Sequence, residues 1–272
     1  MNPVAKFLLA IAVGYAIIVA IAYLMQRRLL YFPNPAMASP AMSDAADMAV
    51  VELDSGDGTR LIAWYRGAPP GRPTIALFQG NAGNIADRAF KARLFLDHGY
   101  GVLLAGYRGY GGSGGRPSEG GLIGDGIAAL EYLSAQGVSR ERLILYGESL
   151  GTGVAVRLAA RRAVGAIILE APYSSIVDVA ARAYPYLPVG LLLKDRFDSM
   201  GPIGDVHAPV LMIHGAEDRV VAPELGARLF AAASDPKQRI VISGAGHNDV
   251  FELGGGKAAL DFLDHLFPET GA

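Results

Sequence analysis

The chain has 272 residues, a formal net charge of −2 and no cysteine. Its 24 basic residues are scattered along the sequence, which argues against nucleic acid as a partner. The lack of cysteine excludes disulfides, a thiolate nucleophile and cysteine-based metal sites. The length suits a single domain with a large core, and we expect that domain to follow an N-terminal anchor.

The N-terminal segment, residues 1–30, is strongly apolar. Residues 7–25 form an uncharged run of 19 residues, and a helix rising about 1.5 Å per residue over that length crosses about 30 Å of hydrocarbon. We therefore predict a single transmembrane helix that anchors the protein to a membrane. The alternative is a cleaved signal peptide, because Ala36 and Ala38 form an Ala-x-Ala pattern, but this pattern lies well beyond the apolar run.

Basic residues flank the apolar run on both sides. Lys6 and the terminal amine precede it, and Arg27 and Arg28 follow it, so the positive-inside rule leaves open on which side of the membrane the following domain lies. Residues 31–47 are rich in Pro, Ala, Met and Ser without periodicity, which predicts a linker. The main domain is expected at residues 48–272.

Beyond the linker, the hydrophobic pattern predicts strands and helices in alternation. Residues 50–53 and 61–65 flank a turn-forming Ser-Gly-Asp-Gly sequence, which indicates a hairpin and an antiparallel edge. The later apolar runs predict strands buried on both faces, and the amphipathic segments between them predict helical crossovers. The predicted strands are 74–78, 101–105, 143–146, 166–169, 210–213 and 240–242; the predicted helices are 85–98, 122–136, 150–162, 223–233 and 250–267.

This alternation predicts an α/β fold with a mostly parallel, doubly wound sheet of about eight strands. Residues 172–207 interrupt the pattern with several prolines, which favours an inserted cap over the top of the sheet. Because ligands of such sheets bind beyond the carboxyl ends of the strands, the loops that follow the strands are the places to look for catalytic residues.

A G-x-S-x-G sequence at 147–151 follows one predicted strand and precedes a predicted helix. A serine on such a tight strand-to-helix turn is exposed at the sheet edge, and the flanking glycines leave room for neighbouring backbone. We predict Ser149 as the nucleophile of a serine hydrolase; the alternative is an incidental Gly/Ser turn.

A serine nucleophile needs a histidine base that follows it in the chain in this fold. His247 lies in a loop between the last predicted strand and the last predicted helix, and it is the predicted base. His98 precedes the nucleophile, His207 lies in the insertion and His265 lies within the last helix. His214 ends a strand beside a glycine, where we expect a structural role.

Asp218 is the predicted acid that orients His247, because it lies in the loop after the strand 210–213. Glu217 is the adjacent alternative and Glu170, at the end of another strand, is a second; a dyad without an acid also stays open. The predicted oxyanion donors are the backbone N–H of Leu150 and the N–H of Asn81 in the loop after strand 74–78.

Two other classes of site are disfavoured. Residues 109–114 spell G-x-G-x-x-G, but Pro117 and Ser118 follow where a dinucleotide-binding helix would open, and no acidic residue stands at a ribose-binding position. The sequence shows no His/Asp/Glu cluster with metal-ligand spacing. We therefore predict neither a cofactor nor a metal.

Taken together, these motifs resemble those of the α/β-hydrolase-domain proteins related to the yeast bud-emergence suppressor, a branch close to the prolyl-oligopeptidase-like serine hydrolases. The similarity covers the chain from the anchor onward. The matching segments, in the order of that family, are 31–33, 80–84, 107–111, 117–119, 147–151, 170–175, 196–199, His214-Gly215 with Asp218, and 246–249.

The resemblance implies a membrane-anchored serine hydrolase with Ser149, Asp218 and His247 as the triad, and related branches include thioesterases that act on acylated proteins. One position departs from the family: Gln79 stands where a histidine usually precedes Gly80. Because that histidine is outside the triad, we expect altered support of the oxyanion loop rather than loss of activity.

The predicted reaction is hydrolysis of an ester or thioester of a small or lipid-like acyl substrate. The anchor and the apolar insertion favour an acyl substrate over a peptide, and a serine peptidase with the same triad is the second hypothesis. A third is a membrane-tethered scaffold that keeps the fold without the chemistry.

Overall fold

The computed structural model of the protein describes residues 1–268. Its strands are β1 Phe32–Pro33, β2 Ala49–Asp54, β3 Arg60–Arg66, β4 Thr74–Phe78, β5 Ala82–Gly83, β6 Gly101–Ala105, β7 Leu143–Glu148, β8 Ala166–Glu170, β9 Val210–Gly215 and β10 Lys237–Ile242. Its α-helices are α1 Pro3–Leu30, α2 Ala89–Asp97, α3 Glu119–Ala135, α4 Leu150–Ala159, α5 Ile176–Ala183, α6 Val189–Leu192, α7 Pro223–Ala232 and α8 Gly256–Leu266.

The central sheet has eight strands in the order β10-β9-β8-β7-β4-β6-β3-β2. The predicted hairpin of β2 and β3 forms one antiparallel edge, with Val50 opposite Trp64, and β3 is also antiparallel to β6. The other neighbouring strands are parallel. The predicted α/β-hydrolase architecture is therefore confirmed. The strand order reverses between β4 and β7, so their carboxyl ends flank the crevice where ligands bind in such sheets.

Helices cover both faces of the sheet and create two apolar cores. Along β4, Ala76 and Phe78 contribute to the core beneath α3, α4 and α7, whereas Ile75 and Leu77 contribute to the core beneath α2 and α8. This alternation follows from the period of two residues in a strand. Burial on both faces explains why the inner strands β4, β6 and β8 are almost entirely apolar, whereas the edge strand β10 begins with Lys237, Gln238 and Arg239.

Two predicted helices begin with a turn that is not α-helical. The segment 85–98 begins with a 3₁₀ turn, Ile85–Arg88, before α2 starts. The segment 250–267 is interrupted by a π-helical turn, Phe251–Gly255, in which Gly254 adopts a φ of 137°. Because glycine has no Cβ, it reaches this backbone conformation without the steric cost that other residues would bear.

The N-terminal helix α1 is longer than the predicted span, since it covers Pro3–Leu30 and so extends beyond residues 7–25 on both sides. It is the only helix among residues 1–268 that is long and apolar enough to cross a membrane, and none of its most apolar window is buried in the protein. A signal sequence would meet the same criteria of length and composition. Its apolar side chains, such as Phe7 and Leu24, are exposed.

The segment 31–47 was predicted as a linker, but it packs onto the domain. β1 pairs with β5, and the side chains of Tyr31 and Ala45 are buried. Gly111 and Gly112 donate main-chain hydrogen bonds to carbonyls of this segment. The prediction was wrong on this point because a sequence without periodicity can still be held by contacts with distant loops.

The predicted insertion, 172–207, forms a cap of short elements. It contains α5, α6 and the 3₁₀ turn Pro202–Asp205. Ser175 caps the start of α5 by accepting a hydrogen bond from the N–H of Asp178 at 3.0 Å. The predicted insertion therefore lies between β8 and β9 and consists of short elements.

Candidate active site

Ser149 lies on a tight turn between β7 and α4. Its φ of 48° and ψ of −115° form a strained backbone conformation for a residue with a side chain. A Cβ on Gly151 would stand 2.1 Å from the carbonyl oxygen of Phe78, and a Cβ on Gly147 would stand 2.6 Å from Gly151 O. Both glycines are thus required by close backbone approach, as the G-x-S-x-G motif predicted.

The structure brings Ser149, His247 and Asp218 together from three different loops. His247 Nε2 lies 3.0 Å from Ser149 Oγ, and His247 Nδ1 lies 2.7 Å from Asp218 Oδ2. A neutral imidazole that donates from Nδ1 and accepts at Nε2 fits both contacts. Asp249 supports the same loop by accepting a hydrogen bond from the N–H of Gly246 at 2.7 Å.

Asp218 is held as an anion by several donors. Its Oδ1 accepts hydrogen bonds from the N–H groups of Val220 and Val221, each at 2.8 Å. Burial by itself would raise the pKa of Asp218, but the hydrogen bonds from His214 and His247 outweigh it, so that the pKa lies well below its usual range. The carboxylate is therefore ionised at neutral pH and able to orient His247.

His214 is the site residue whose contacts the sequence prediction missed. It is buried, and its Nε2 lies 2.9 Å from the carbonyl oxygen of Val221 and 3.3 Å from Asp218 Oδ2. Because both neighbours are acceptors, Nε2 carries the proton. His214 thus contacts the same carboxylate oxygen as His247. The available sequence signal was its position at the end of the strand, four residues before Asp218.

The alternative acids do not contact His247. Glu217 is exposed, whereas Glu170 is buried, pairs with Lys91 Nζ at 2.8 Å and accepts a hydrogen bond from the Tyr146 hydroxyl. Lys91 also pairs with Glu148, the residue before Ser149, at 2.8 Å. Glu170 therefore belongs to a buried ion-pair cluster behind the nucleophile turn.

The charges of this cluster shift the pKa values of Glu148 and Lys91. Burial would raise the pKa of Glu148, but the charges of Lys91 and Arg88 outweigh burial and lower it well below its usual range. Burial would likewise lower the pKa of Lys91, yet Glu170 and Glu148 raise it above its ordinary value. The main-chain carbonyl of Glu170 also accepts a hydrogen bond from the N–H of Ser149 at 2.8 Å.

The two predicted oxyanion donors lie beside Ser149. Leu150 opens α4, and Asn81 follows β4; both line the same cavity as Ser149. The side chain of Asn81 donates to the carbonyl of Leu30 at 2.7 Å, and its own carbonyl accepts from Tyr110 at 2.8 Å. The loop is thus held from both sides.

Gln79, the departure from the family pattern, is fully buried at the end of β4. Among residues 1–268, neither atom of its side-chain amide has a hydrogen-bond partner. Gln79 therefore adds no side-chain hydrogen bond to the oxyanion loop, which is instead tied through Asn81.

A cavity of about 410 Å³ opens beside Ser149, within the size range of about 300–1,000 Å³ that is usual for small-molecule sites. Its walls are mainly apolar and come from α1, from the cap and from the loop that carries Asp218. The lining residues of the cap are Tyr173, Ile176, Val179, Ala180, Ala183, Tyr184, Leu187, Val189, Leu192 and Leu193.

The G-x-G-x-x-G segment, residues 109–114, has a structural role. In the G-x-G-x-x-G segment, Gly111 N donates to Asn34 O at 2.9 Å and Gly112 N donates to Pro35 O at 3.0 Å, so this loop fastens the segment after α1. In the described part of the chain, no group of three or more potential metal ligands is found.

Comparison with known proteins gives the family of the chain, although no family model matches it. An uncharacterised protein of Mycobacterium tuberculosis is 42% identical over 98% of this chain and 95% of its own length. The alpha/beta hydrolase domain-containing protein WAV2 of Arabidopsis thaliana is 32% identical over 95% of this chain and 92% of its own length. Protein bem46 of Schizosaccharomyces pombe is 34% identical over 72% of this chain and 69% of its own length.

Solved structures show the same fold at lower sequence identity. The esterase Pf2001 of Pyrococcus furiosus matches with a TM-score of 0.71 and 18% identity, over 86% of this chain and 98% of the esterase. A puromycin-hydrolysing peptidase of Mycobacterium tuberculosis matches with a TM-score of 0.66 and 19% identity, over 81% of this chain and 39% of the peptidase. With its relatives matching over most of its length, the chain belongs to the α/β-hydrolase-domain family that includes WAV2 and bem46.

Proposed function

We propose that the protein is a membrane-anchored serine hydrolase that cleaves an ester or thioester through an acyl-enzyme on Ser149. One observation carries the proposal: Ser149 Oγ, both nitrogens of His247 and the carboxylate of Asp218 form a continuous chain of contacts beside an apolar cavity. This chain of contacts is the arrangement that activates a serine hydroxyl.

In the acylation half, Ser149 Oγ attacks the carbonyl carbon of the substrate while its proton passes to His247 Nε2. The resulting imidazolium is stabilised by the Asp218 carboxylate at Nδ1. When the tetrahedral intermediate collapses, the bond to the leaving oxygen or sulfur breaks and that atom takes the proton from Nε2. The acyl group is then esterified to Ser149.

The N–H groups of Leu150 and Asn81 are the proposed donors to the developing oxyanion. Each such donor is worth about 3 kcal/mol in the transition state. The N–H of Leu150 lies at the start of α4, where the helix dipole also favours negative charge. In the deacylation half, water loses a proton to His247 Nε2, its oxygen attacks the acyl carbon, and Ser149 regains the proton.

The anchoring part of the proposal rests on α1. Its exposed apolar side chains, including Phe7, Leu9 and Ile18, need an apolar environment along a helix long enough to span a bilayer. A cleaved signal peptide would discard these residues, yet Arg27 forms a two-pronged contact with buried Asp195 of the cap at 2.8 and 3.1 Å. The helix is thus integrated with the domain, which favours an anchor.

An ester or thioester is preferred to a peptide because of the cavity next to the nucleophile. Its lining is predominantly apolar, with Gln26, Asn81 and Arg219 among the few polar residues. Such a cavity suits an acyl chain, which gains binding free energy by leaving water. A peptidase with the same triad stays the second hypothesis, and a panel of acyl esters and aminoacyl amides separates the two.

Reaction with a fluorophosphonate probe tests the proposal directly. Wild-type protein is expected to be labelled on Ser149, as located by mass spectrometry, and Ser149→Ala is expected to lose the label because no activated hydroxyl remains. Ser134→Ala, which changes an exposed serine on α3, is the matched control and is expected to react like wild type. A folded wild-type protein that does not react would overturn the hydrolase proposal and favour a non-catalytic scaffold.

A further inference from the structure

The cavity beside Ser149 has the anchor helix as one of its walls. The lining residues contributed by α1 are Ala22, Gln26, Leu29 and Leu30. From Leu30 back to Ala22 an α-helix rises about 12 Å, so the cavity follows α1 for about two turns away from the nucleophile. The wall of the acyl site is therefore partly made of the segment that spans the bilayer.

Several polar contacts fix α1 against the cap. Gln26 is the buried residue of α1; its amide nitrogen donates to Leu192 O at 3.2 Å, and its amide oxygen accepts from the N–H of Lys194 at 2.7 Å. Arg27 pairs with Asp195 at 2.8 Å. Because the buried amide is satisfied on both sides, this end of α1 has a defined position beside the cavity.

A contact further along α1 indicates how deep the cap lies in the bilayer. The hydroxyl of Tyr15 donates to the main-chain carbonyl of Tyr186 in the cap at 2.8 Å. Tyr15 is near the middle of the apolar run 7–25, so in a bilayer with about 30 Å of hydrocarbon it lies near the midplane. The cap segment that it contacts must then enter one leaflet.

The sequence of the cap suits that environment. Residues 183–193 contain no charged side chain and are bounded by Arg182 and Lys194. Within this stretch Tyr186 is 86% exposed and Leu191 is 88% exposed. Apolar side chains exposed beside a transmembrane helix gain free energy by entering the acyl-chain region, while long basic side chains at the borders reach back to the headgroups.

The mouth of the cavity is also apolar. Among its lining residues, Leu29, Phe32, Tyr184 and Val220 are each between 48% and 60% exposed. Leu29 lies on α1, Phe32 on β1, Tyr184 in the cap and Val220 in the loop that carries Asp218. A ligand that enters between α1 and the cap therefore meets apolar side chains before it reaches Ser149.

We propose that this cavity takes the acyl chain of a bilayer lipid ester directly from the leaflet that contains the cap, with α1 forming part of the acyl-binding wall. This inference rests on the proposed function of Ser149. It adds the substrate class, a long-chain lipid ester, and the route of access, which is lateral from the leaflet rather than from water.

The test uses the full-length protein in phosphatidylcholine vesicles that carry a fluorogenic palmitoyl glycerolipid, with 4-nitrophenyl acetate as the water-soluble comparison. Ala22→Phe adds a ring inside the cavity and is expected to lower palmitoyl-lipid turnover about tenfold or more, because an overfilled pocket rejects extra methylenes. Acetate turnover is expected to fall much less than palmitoyl-lipid turnover, since a short acyl group needs only the region near Ser149. Ala20→Phe, on the exposed side of α1, is the matched control.

A second pair of variants on the cap distinguishes an obstructed cavity from a folding defect that the substitution in α1 could cause. Ala180→Phe changes a lining residue of α5, whereas Ala181→Phe changes its exposed neighbour. Ala180→Phe is expected to repeat the selective loss on the palmitoyl lipid, and Ala181→Phe is expected to resemble wild type. Equal effects of lining and exposed variants would overturn the proposal.

The failure of this inference is distinguishable from the failure of the proposed function. If fluorophosphonate labels Ser149 and acetate is cleaved, but the palmitoyl lipid is untouched, the protein is a serine hydrolase whose substrate is not a bilayer lipid. Turnover restricted to an S-palmitoylated peptide in the same vesicles would also overturn the lipid assignment. Absence of both labelling and acetate cleavage would instead remove the hydrolase proposal itself.

Discussion

At the scale of single residues, the carboxylate of Asp218 is the centre of the candidate site. It receives two main-chain N–H groups on one oxygen and faces His247 and His214 with the other. His214 does not contact Ser149 in this arrangement and can act only through the acid. We therefore regard it as a positioning residue for the orientation of His247.

Replacement of His214 tests this role. His214→Leu removes a donor from an ionised carboxylate, an interaction worth about 1.5–3 kcal/mol, and we expect kcat for a soluble ester to fall about tenfold or more while KM changes little. His214→Gln, which can still donate a hydrogen bond, is expected to recover part of kcat. A loss in KM alone, or no recovery with glutamine, would contradict the positioning role.

The local sequence pattern predicts the turn at Ser149 but not the contacts of His214. The glycine–serine turn at Ser149 is a local feature, because backbone within a few residues demands small neighbours. The pairing of His214 with Asp218 depends on the conformation of the intervening loop, in which the Val221 carbonyl faces the imidazole. For that reason the sequence located the histidine but assigned it only a structural role.

At the scale of elements, α2 and α4 lie on opposite faces of the sheet. From its face, α2 contacts the turn that carries Ser149. It carries Lys91 to the carboxyl ends of β7 and β8, where Glu148 and Glu170 would otherwise be buried side by side. The lysine side chain is only 5% exposed. Loss of one partner from such a cluster leaves uncompensated charge in the interior.

We expect Lys91→Met to lower the free energy of unfolding by about 3–5 kcal/mol, since two carboxylates would lose their shared cation. Lys257→Met provides the matched control: Lys257 is exposed on α8 and pairs with Asp261 one turn away, so its loss is expected to cost less than about 1 kcal/mol. Denaturant unfolding of the purified variants measures both. Similar losses of unfolding free energy in the two variants would contradict a larger stabilising contribution from the buried cluster.

At the scale of the whole molecule, α1 contacts both the cap and a loop of the candidate site. The carbonyl of Leu30, at the end of α1, accepts a hydrogen bond from Asn81 of the oxyanion loop, and Gln26 holds the cap. The helix α1 is thus connected through direct contacts to both the proposed oxyanion donor and the wall of the cavity. Residues 31–47, which follow α1, add further contacts with the domain.

Site-directed fluorescence can measure the depth of the cap, because the chain has no native cysteine. A fluorophore on Leu191→Cys is expected to be strongly quenched by phospholipids brominated along their acyl chains, since the cap is proposed to enter the leaflet. The same fluorophore on Ser134→Cys, at an exposed site on α3, is expected to be quenched by aqueous iodide instead. Iodide quenching at both sites would argue against an immersed cap.

The sequence by itself determined the alternation of strands and helices, the antiparallel edge, the nucleophile turn and an apolar helix long enough for a membrane. These features are set by local periodicity, by chain length and by the steric limits of neighbouring residues. The tertiary structure decided the contacts among Ser149, Asp218 and His247 and the ion pairs of Lys91 with Glu148 and Glu170. It also decided how residues 31–47 pack onto the domain and how α1 packs against the cap. Each depends on groups far apart in the chain, as Gln26 and Lys194 are, and only the assembled sheet and its loops bring such groups within hydrogen-bond distance.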